Sequence, residues 1–473
     1  MTRAGRNSSW WITGAFASAV LAFAGAAAAQ APASHEALAR DIYRELIEIR
    51  TVHPDGDNTA AARAMSRRLI AAGFDPADVQ VLEPAPLKGN LVARLRGSGQ
   101  AKPILLLAHI DVVDTKKEDW SEGLDPWKLT ERDGHFYGRG VMDDKAMAAA
   151  FVANLIRYKR EGLRPRRDIV VALTADEEGG THNGVQWLLG THRPLIDAQF
   201  ALNEGGASQL RDGRAHLFGI QVSEKMYLSF ELESTNSGGH SSLPRADNAI
   251  YDLAGALERV ASLELPARLT AVARAFAAKT AEAETGALAQ ALSAVGSGRE
   301  TPEDLRLLAT SPSVNAQIRT TCVATRLEGG HADNALPQRA KATVNCRLLP
   351  GEKGELVQAE LERAAGPKVR VSPKNQLFAS EATDIGSAEY AAIRSAAEAM
   401  WPGVEVMPIM SAGATDGSRL RNAGIPVYGM LPVFLESGGI ARMHGRDERV
   451  PVRSFHEGVE FLYRLVRDLA IRG

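Results

Sequence analysis

The sequence predicts an α/β protein: a mixed, mainly parallel sheet with helices on both faces, and a smaller ferredoxin-like α+β domain inserted into it. Three observations lead there. Short runs such as residues 104–108 and 168–173 are almost wholly apolar and read as strands buried on both faces, as in a parallel sheet. They alternate with helical stretches, as in βαβ units. From about Ser223 the strands alternate apolar and polar residues instead, and the order becomes strand, helix, two strands, helix, strand, the split βαβ pattern. The first pattern resumes after residue 373. Residues 30–222 and 374–473 are therefore read as two parts of one domain, and 223–373 as a second domain set into it.

Residues 1–29 precede this plan. Arg3 and Arg6 give a basic start, residues 10–29 are apolar and increasingly Ala-rich, and the run ends Ala27-Ala28-Ala29. That is the pattern of a secretory signal peptide cut near Ala29, preferred over an uncleaved anchor because small residues suit a signal peptidase. A bacterial periplasmic or secreted location follows, with no stable membrane association after cleavage. At 473 residues the chain exceeds one simple core, and 45% hydrophobic with 24% charged residues is ordinary for a soluble protein. A net charge of -2 gives no electrostatic case for a nucleic-acid partner. Cys322 and Cys346 flank a hairpin-like stretch. They can pair in an exported protein, but the register is not legible and the reading leans to free thiols.

The elements follow in order. Leu38, Ile42, Leu46 and Ile49 recur at helical spacing, residues 51–59 break the pattern, and Met65, Leu69 and Ile70 continue a second helix closed by Gly73. Strands are read at 79–82, 90–95 and 104–108. The last runs into His109, with Asp111 two residues on. Ligands bind beyond the carboxyl ends of such strands. If the chain stays extended, both side chains point one way, and the Asp111 carboxylate can take the second ring N–H of His109. Residues 114–134 form a long polar loop, a length usually tied to function. The turn Gly138-Arg139-Gly140 delivers Asp143 and Asp144 to the start of a helix over 146–158; helix capping explains one acid but not two. The strand 168–173 stops at Asp176-Glu177-Glu178, three acids that are costly beside a buried strand unless they hold cations or meet water. A strand over 200–202 stops at Glu204.

In the inserted domain, strand 226–233 precedes the loop 237–244 with His240, and a helix spans 246–263. Residues 265–311 are helical and Ala-rich without a motif. Strands at 318–327 and 340–349 are joined through 329–337, followed by a helix at 352–365 and a strand at 368–371. A helix over 388–400 reopens the first domain, and residues 410–420 hold Thr415-Asp416. A strand spans 426–431, the loop 436–449 carries His444, and a helix over 454–471 closes the chain with Ser454 placed as its cap.

Five segments thus each bring a metal-type side chain to one predicted sheet edge: His109, Asp143, Glu177 with Glu178, Glu204, and His444. Two imidazoles among carboxylates suit zinc, or cobalt or manganese, better than calcium. Spacing alone leaves open which of Glu177 and Glu178 is a ligand and which a base.

With Gly239-His240-Ser241-Ser242 and Pro244, these motifs resemble the dinuclear zinc peptidases related to aminoacylase, glutamate carboxypeptidase, carnosinase and succinyl-diaminopimelate desuccinylase. The resemblance implies two divalent ions per subunit, bridged by Asp143, with His109 and Glu204 on one and Glu178 and His444 on the other. It makes Asp111 the residue that orients His109 and Glu177 the catalytic base acting on a water held between the ions. Three carboxylates against four positive charges leave a positive site, which acidifies such a water. His240, Asn334, Arg347 and Thr415 match substrate-contacting positions, and the family's use of the matching histidine across a subunit boundary implies a homodimer through the inserted domain. The expected activity is that of an exported exopeptidase or dipeptidase on short peptides. An N-acyl-amino-acid deacylase is the alternative, and a binding-only relative the rival from another class. Ala412-Gly413-Ala414 stands where consecutive glycines are common, and residues 372–376 lack an arginine found in glutamate-releasing carboxypeptidases; both count against carboxypeptidase specificity.

Overall fold

Residues 34–377 and 380–472 are described by a computed structural model, so the signal-peptide reading of residues 1–29 lies outside the described residues. Every residue of Ile104–His109 and Ile169–Thr174 is buried, and these two strands lie side by side in the middle of a nine-stranded sheet. From one edge the order is Val79–Leu82, Asn90–Leu95, Ile169–Thr174, Ile104–His109, Phe200–Asn203, Val427–Gly429, Arg214–Glu224 and Glu405–Ser411, with Ala207–Arg211 paired to Arg214–Glu224 as a hairpin. The pairings on both sides of Ile104–His109 are parallel, while the pairs nearest Val79–Leu82 are antiparallel. Successive residues face opposite layers. Leu106 and Ala108 pack with the helices His35–Glu48, Lys145–Arg160 and Val452–Arg472, whereas Leu105 and Leu107 pack with Gly184–Thr191 and Gly417–Asn422. The predicted sheet with helices on both faces is what forms.

A second sheet is wholly antiparallel, in the order Thr321–Gly329, Arg339–Leu348, Met226–Thr235, Val369–Pro373. This is the ferredoxin-like order. Its helices Ala249–Ala261 and Gly354–Ala365 cover one face around Phe230, Leu232, Leu253, Val344 and Leu361. The chain crosses from the first sheet to the second at Lys225, whose buried ammonium donates to the Arg319 carbonyl at 2.7 Å and to Thr321 Oγ1 at 3.1 Å. The Ala-rich stretch becomes four helices from Ala271 to Ile318 with a small core of their own. Ala271–Ala283 also packs on the edge strand Glu405–Ser411, and Gln317 Nε2 donates to the Met410 carbonyl at 3.1 Å.

Some expectations change. Cys322 and Cys346 stand directly opposite each other across paired strands and form a disulfide, against the reading of free thiols. Ser454 is not a cap: the last helix starts at Val452, so Ser454 lies inside it and is buried. The polar loop 114–134 contains Thr130–Arg132, which pairs with His135–Tyr137. The hairpin of Ala207–Arg211 and Arg214–Glu224 had a signal in Asp212-Gly213, both at positive φ as a tight hairpin turn requires, but its first strand is half-exposed and shows no apolar run. Among the described residues no helix is long and apolar enough to cross a membrane.

Candidate metal centre

Ile169–Thr174, Ile104–His109 and Phe200–Asn203 are adjacent and parallel, so their carboxyl ends share one rim. His109 ends the central strand, the acid turn 176–178 follows one neighbour, and Glu204 follows the other. The turn 138–144 and the loop 436–448 bring Asp143 and His444 to the same place. The Asp143 carboxylate then lies between two imidazoles: its Oδ1 is 2.9 Å from His109 Nε2, and its Oδ2 is 2.9 Å from His444 Nε2. His444 Nε2 is also 2.8 Å from Glu178 Oε1. Donor atoms of His109, Asp143 and Glu178 all lie within 4.8 Å of one another.

The ring of His109 is oriented from behind. Its Nδ1 is 3.0 Å from the main-chain carbonyl oxygen of Asp111 and 3.7 Å from the carboxylate Oδ1. The expected partner was that carboxylate. Instead, Asp111 accepts the N–H groups of Glu177 at 3.1 Å and Glu178 at 2.9 Å, two turn donors that burial would otherwise leave unpaired. The residue thus fixes His109 through its main chain and the acid turn through its side chain.

The three consecutive acids divide their tasks. Asp176 sits at φ +59, turned inward, with Lys88 Nζ 2.8 Å from its Oδ1 and the His182 N–H donating to its Oδ2 at 3.2 Å. Glu177 and Glu178 are left to face the site. Asp144 does not cap the helix Lys145–Arg160 with its side chain. Lys145 is buried and donates to the carbonyls of Leu46 at 2.8 Å and Ile49 at 2.9 Å, tying the end of the helix His35–Glu48 to the turn.

Burial pushes the carboxyls of Glu177, Glu204 and Asp144 well above their ordinary range, and neighbouring acids add to it. The charges of Asp143, Glu177 and His109 all act on Glu204, which places it in the cluster. Burial likewise raises Asp111, to about 6. Asp143 is the exception: burial opposes it, but the two imidazoles outweigh burial and hold it low. Hydrogen bonds to the Asp143 and Glu178 carboxylates push His444 up to about 10. Such a crowd of acids around two imidazoles is the electrostatic setting that cations relieve, and nitrogen and oxygen donors with one carboxylate oxygen aimed at each imidazole fit a shared pair of divalent ions.

The other predicted residues fall in two places. Thr415 is near the rim: its N–H and hydroxyl both donate to Glu224 Oε2 at 2.9 Å, and Arg421 Nη1 is 3.3 Å from Glu224 Oε1. His240 and Asn334 meet in a short ladder on the second sheet's side of the chain, where the Ser241 N–H donates to the Asn334 carbonyl at 3.0 Å. The Arg347 guanidinium lies over the Tyr227 ring at 4.9 Å. Among the described residues, no hydrogen bond or ion pair joins His240, Asn334 or Arg347 to the cluster. Sequence reasoning missed Lys88, Arg139, Asp416 and Glu448. Asp416 accepts from Asn183 Nδ2 at 2.7 Å, and its charge acts on Glu177. Glu448, four residues after His444, was findable as a further acid in that loop; Arg139 and Lys88 carried no periodic signal.

Residues 105–468 match the model of peptidase family M20/M25/M40. A probable carboxypeptidase S-like 2 of Dictyostelium discoideum is 28% identical over 80% of this chain and 74% of its own. The human N-fatty-acyl-amino acid synthase/hydrolase PM20D1 is 28% identical over 78% of this chain and 74% of its own. Among solved structures, the M20 family metallo-carboxypeptidase Sso-CP2 from Sulfolobus solfataricus superposes with a TM-score of 0.65 at 16% identity, covering 91% of this chain and 98% of its own, a likeness of fold. The chain belongs to peptidase family M20/M25/M40, whose members are metal-dependent hydrolases of peptide and amide bonds.

Proposed function

We propose that the protein is an exported, dinuclear metal-dependent hydrolase that cleaves short peptides. The observation that carries this reading is the Asp143 carboxylate, with one oxygen toward each of two imidazoles. In this reading Asp143 bridges, His109 and Glu204 complete one cation's donors, and Glu178 and His444 the other's. When bound, two zinc, cobalt or manganese ions polarise the scissile carbonyl and make the attacking water more acidic. Glu177 serves as the base. It bonds to neither imidazole, its N–H is held by Asp111, and burial raises its affinity for a proton. Its carboxylate takes the water's proton and passes it to the leaving nitrogen. His240 donates to the developing oxyanion, Thr415 borders the substrate, and Asn334 and Arg347 hold the substrate's far end.

We also assign residues 223–373 to an inserted domain that pairs two subunits, so that His240 serves the partner's site. The exposed edge strand Thr321–Gly329, with Val323 and Leu327 in the open, supports a self-pairing surface. The Cys322–Cys346 disulfide supports export to an oxidising compartment, after cleavage near Ala29.

A second reading is N-acyl-amino-acid hydrolysis, favoured by the likeness to the human N-fatty-acyl-amino acid synthase/hydrolase. The test is a turnover panel of zinc- or cobalt-loaded protein over dipeptides, longer peptides and N-acyl amino acids. The first reading expects dipeptides to lead; faster turnover of N-acyl amino acids establishes the second. No turnover of any amide by a metal-loaded protein contradicts both.

A further inference from the structure

We infer that the buried pair Arg139 and Glu448 is a positioning device for the His444 side of the centre, and that it builds that side's cation affinity. The inference rests on the dinuclear reading above. His444 has little of its own to hold it. Its side chain is 47% exposed, its backbone sits at φ +62, and among the described residues its imidazole bonds to Asp143 and Glu178, acids that the cations would share. His109, by contrast, is buried at the end of a strand paired on both sides. The position of the His444 imidazole must therefore come from its main chain.

Two reciprocal grips supply that position. Glu448 reaches from the His444 segment to the Asp143 turn. Its Oε1 accepts the N–H of Met142 at 2.8 Å and of Asp143 at 3.4 Å, and its Oε2 accepts the N–H of Gly140 at 3.2 Å. Gly140 is at φ +82, and a Cβ there would come within 2.7 Å of Val112 Cγ1, so this amide is available only with glycine in the turn. Arg139 reaches the other way. Its Nη2 donates to the carbonyls of His444 at 3.2 Å and Gly445 at 3.0 Å, and its Nη1 donates to Glu448 Oε2 at 2.7 Å. Both side chains are buried, Arg139 at 2% and Glu448 at 1% exposure, so their geometry is protected from water. The segment with one imidazole and the turn with the shared carboxylate are thus clamped together across 305 residues of sequence. A planar guanidinium is required, because a lysine cannot serve two carbonyls and a carboxylate from one rigid fork. His109 meets the clamp through the Asp143 carboxylate, while its own ring is held separately by its strand and by the Asp111 carbonyl.

The test is a cobalt(II) titration of metal-free protein, followed by bound-metal analysis and the visible absorption of each ion, on wild type, Arg139→Lys, Glu448→Gln and His444→Ala, with folding checked by thermal melting. The expected result is two ions in wild type. In Arg139→Lys and Glu448→Gln the first ion binds as in wild type, and the second at least tenfold more weakly, as in His444→Ala; excess cobalt restores the second absorption band. Two ions bound at wild-type affinity in folded variants would overturn the inference. So would loss of both ions together, or unfolding of both variants, because the pair would then serve the fold rather than one side of the site. Wild type that takes up fewer than two ions would instead remove the dinuclear reading.

Discussion

Asp143 and Glu177 carry opposite electrostatic histories within one cluster. Burial penalises both carboxylates, but two imidazoles hold Asp143 ionised, while Glu177 has acids around it and stays ready to accept a proton. Glu178 Oε1 lies 2.8 Å from His444 Nε2 whereas Glu177 bonds to neither imidazole, and this geometry supports the proposed ligand and base, a choice that spacing alone left open. It leads to a direct expectation: Glu177→Gln keeps both ions and loses turnover by ~10²–10⁴-fold, the range for a lost general base. Metal analysis and steady-state rates on one preparation check it; a variant within a few-fold of wild type would remove Glu177 from that role. His109 and Glu178 were legible because they stand where an apolar strand stops, Asp143 because it follows a glycine turn, and His444 through the family resemblance. Lys88 and Arg139 were not, because a charge that ends up buried looks, in sequence, like any solvated charge.

At the scale of elements, sequence reading worked where periodicity is strong. The strands Val79–Leu82 and Asn90–Leu95 and the helix Ala388–Met400 fall on their predicted residues. It failed for Glu405–Ser411, an edge strand whose burial alternates irregularly, and for Gly184–Thr191, a short helix behind a glycine-rich turn. The acid turn shows why a local pattern under-determines a site. Three adjacent acids read alike, yet one faces a buried lysine. Removing one member of a buried ion pair leaves an uncompensated charge and costs about 3–5 kcal/mol. Lys88→Met is therefore expected to lower stability by roughly 3 kcal/mol, and Lys88→Met with Asp176→Asn to recover a large part of that loss. Denaturant unfolding of the two variants checks this; a double variant no more stable than the single would show that the pair does not anchor the turn.

For the whole molecule, the two sheets divide the predicted residues. The first gathers the metal-type side chains and Thr415 at one rim; the second holds Arg347, with His240 and Asn334 at a separate two-stranded ladder beside it in sequence. The order of the second sheet was legible from its strand and helix sequence, but its disulfide was not, since a one-residue slip in register would have turned Cys322 away from Cys346. The exposed apolar residues of Thr321–Gly329 offer a test of pairing. Leu327, 68% exposed, lies on the edge strand of the second sheet, outside the strands that carry the metal-type residues. Leu327→Lys is expected to shift the protein toward monomer in sedimentation and to lower kcat while both ions remain bound. A monomeric wild type, or a monomeric variant with full kcat, would contradict a site completed across subunits.

The claim beneath all of this is that one carboxylate serves two cations. Anomalous diffraction from zinc-loaded crystals examines it directly. The account predicts two peaks, about 3.5–4 Å apart, flanking Asp143, one beside His109 with Glu204 and one beside His444 with Glu178. A single peak between the two imidazoles, or peaks away from Asp143, would contradict it.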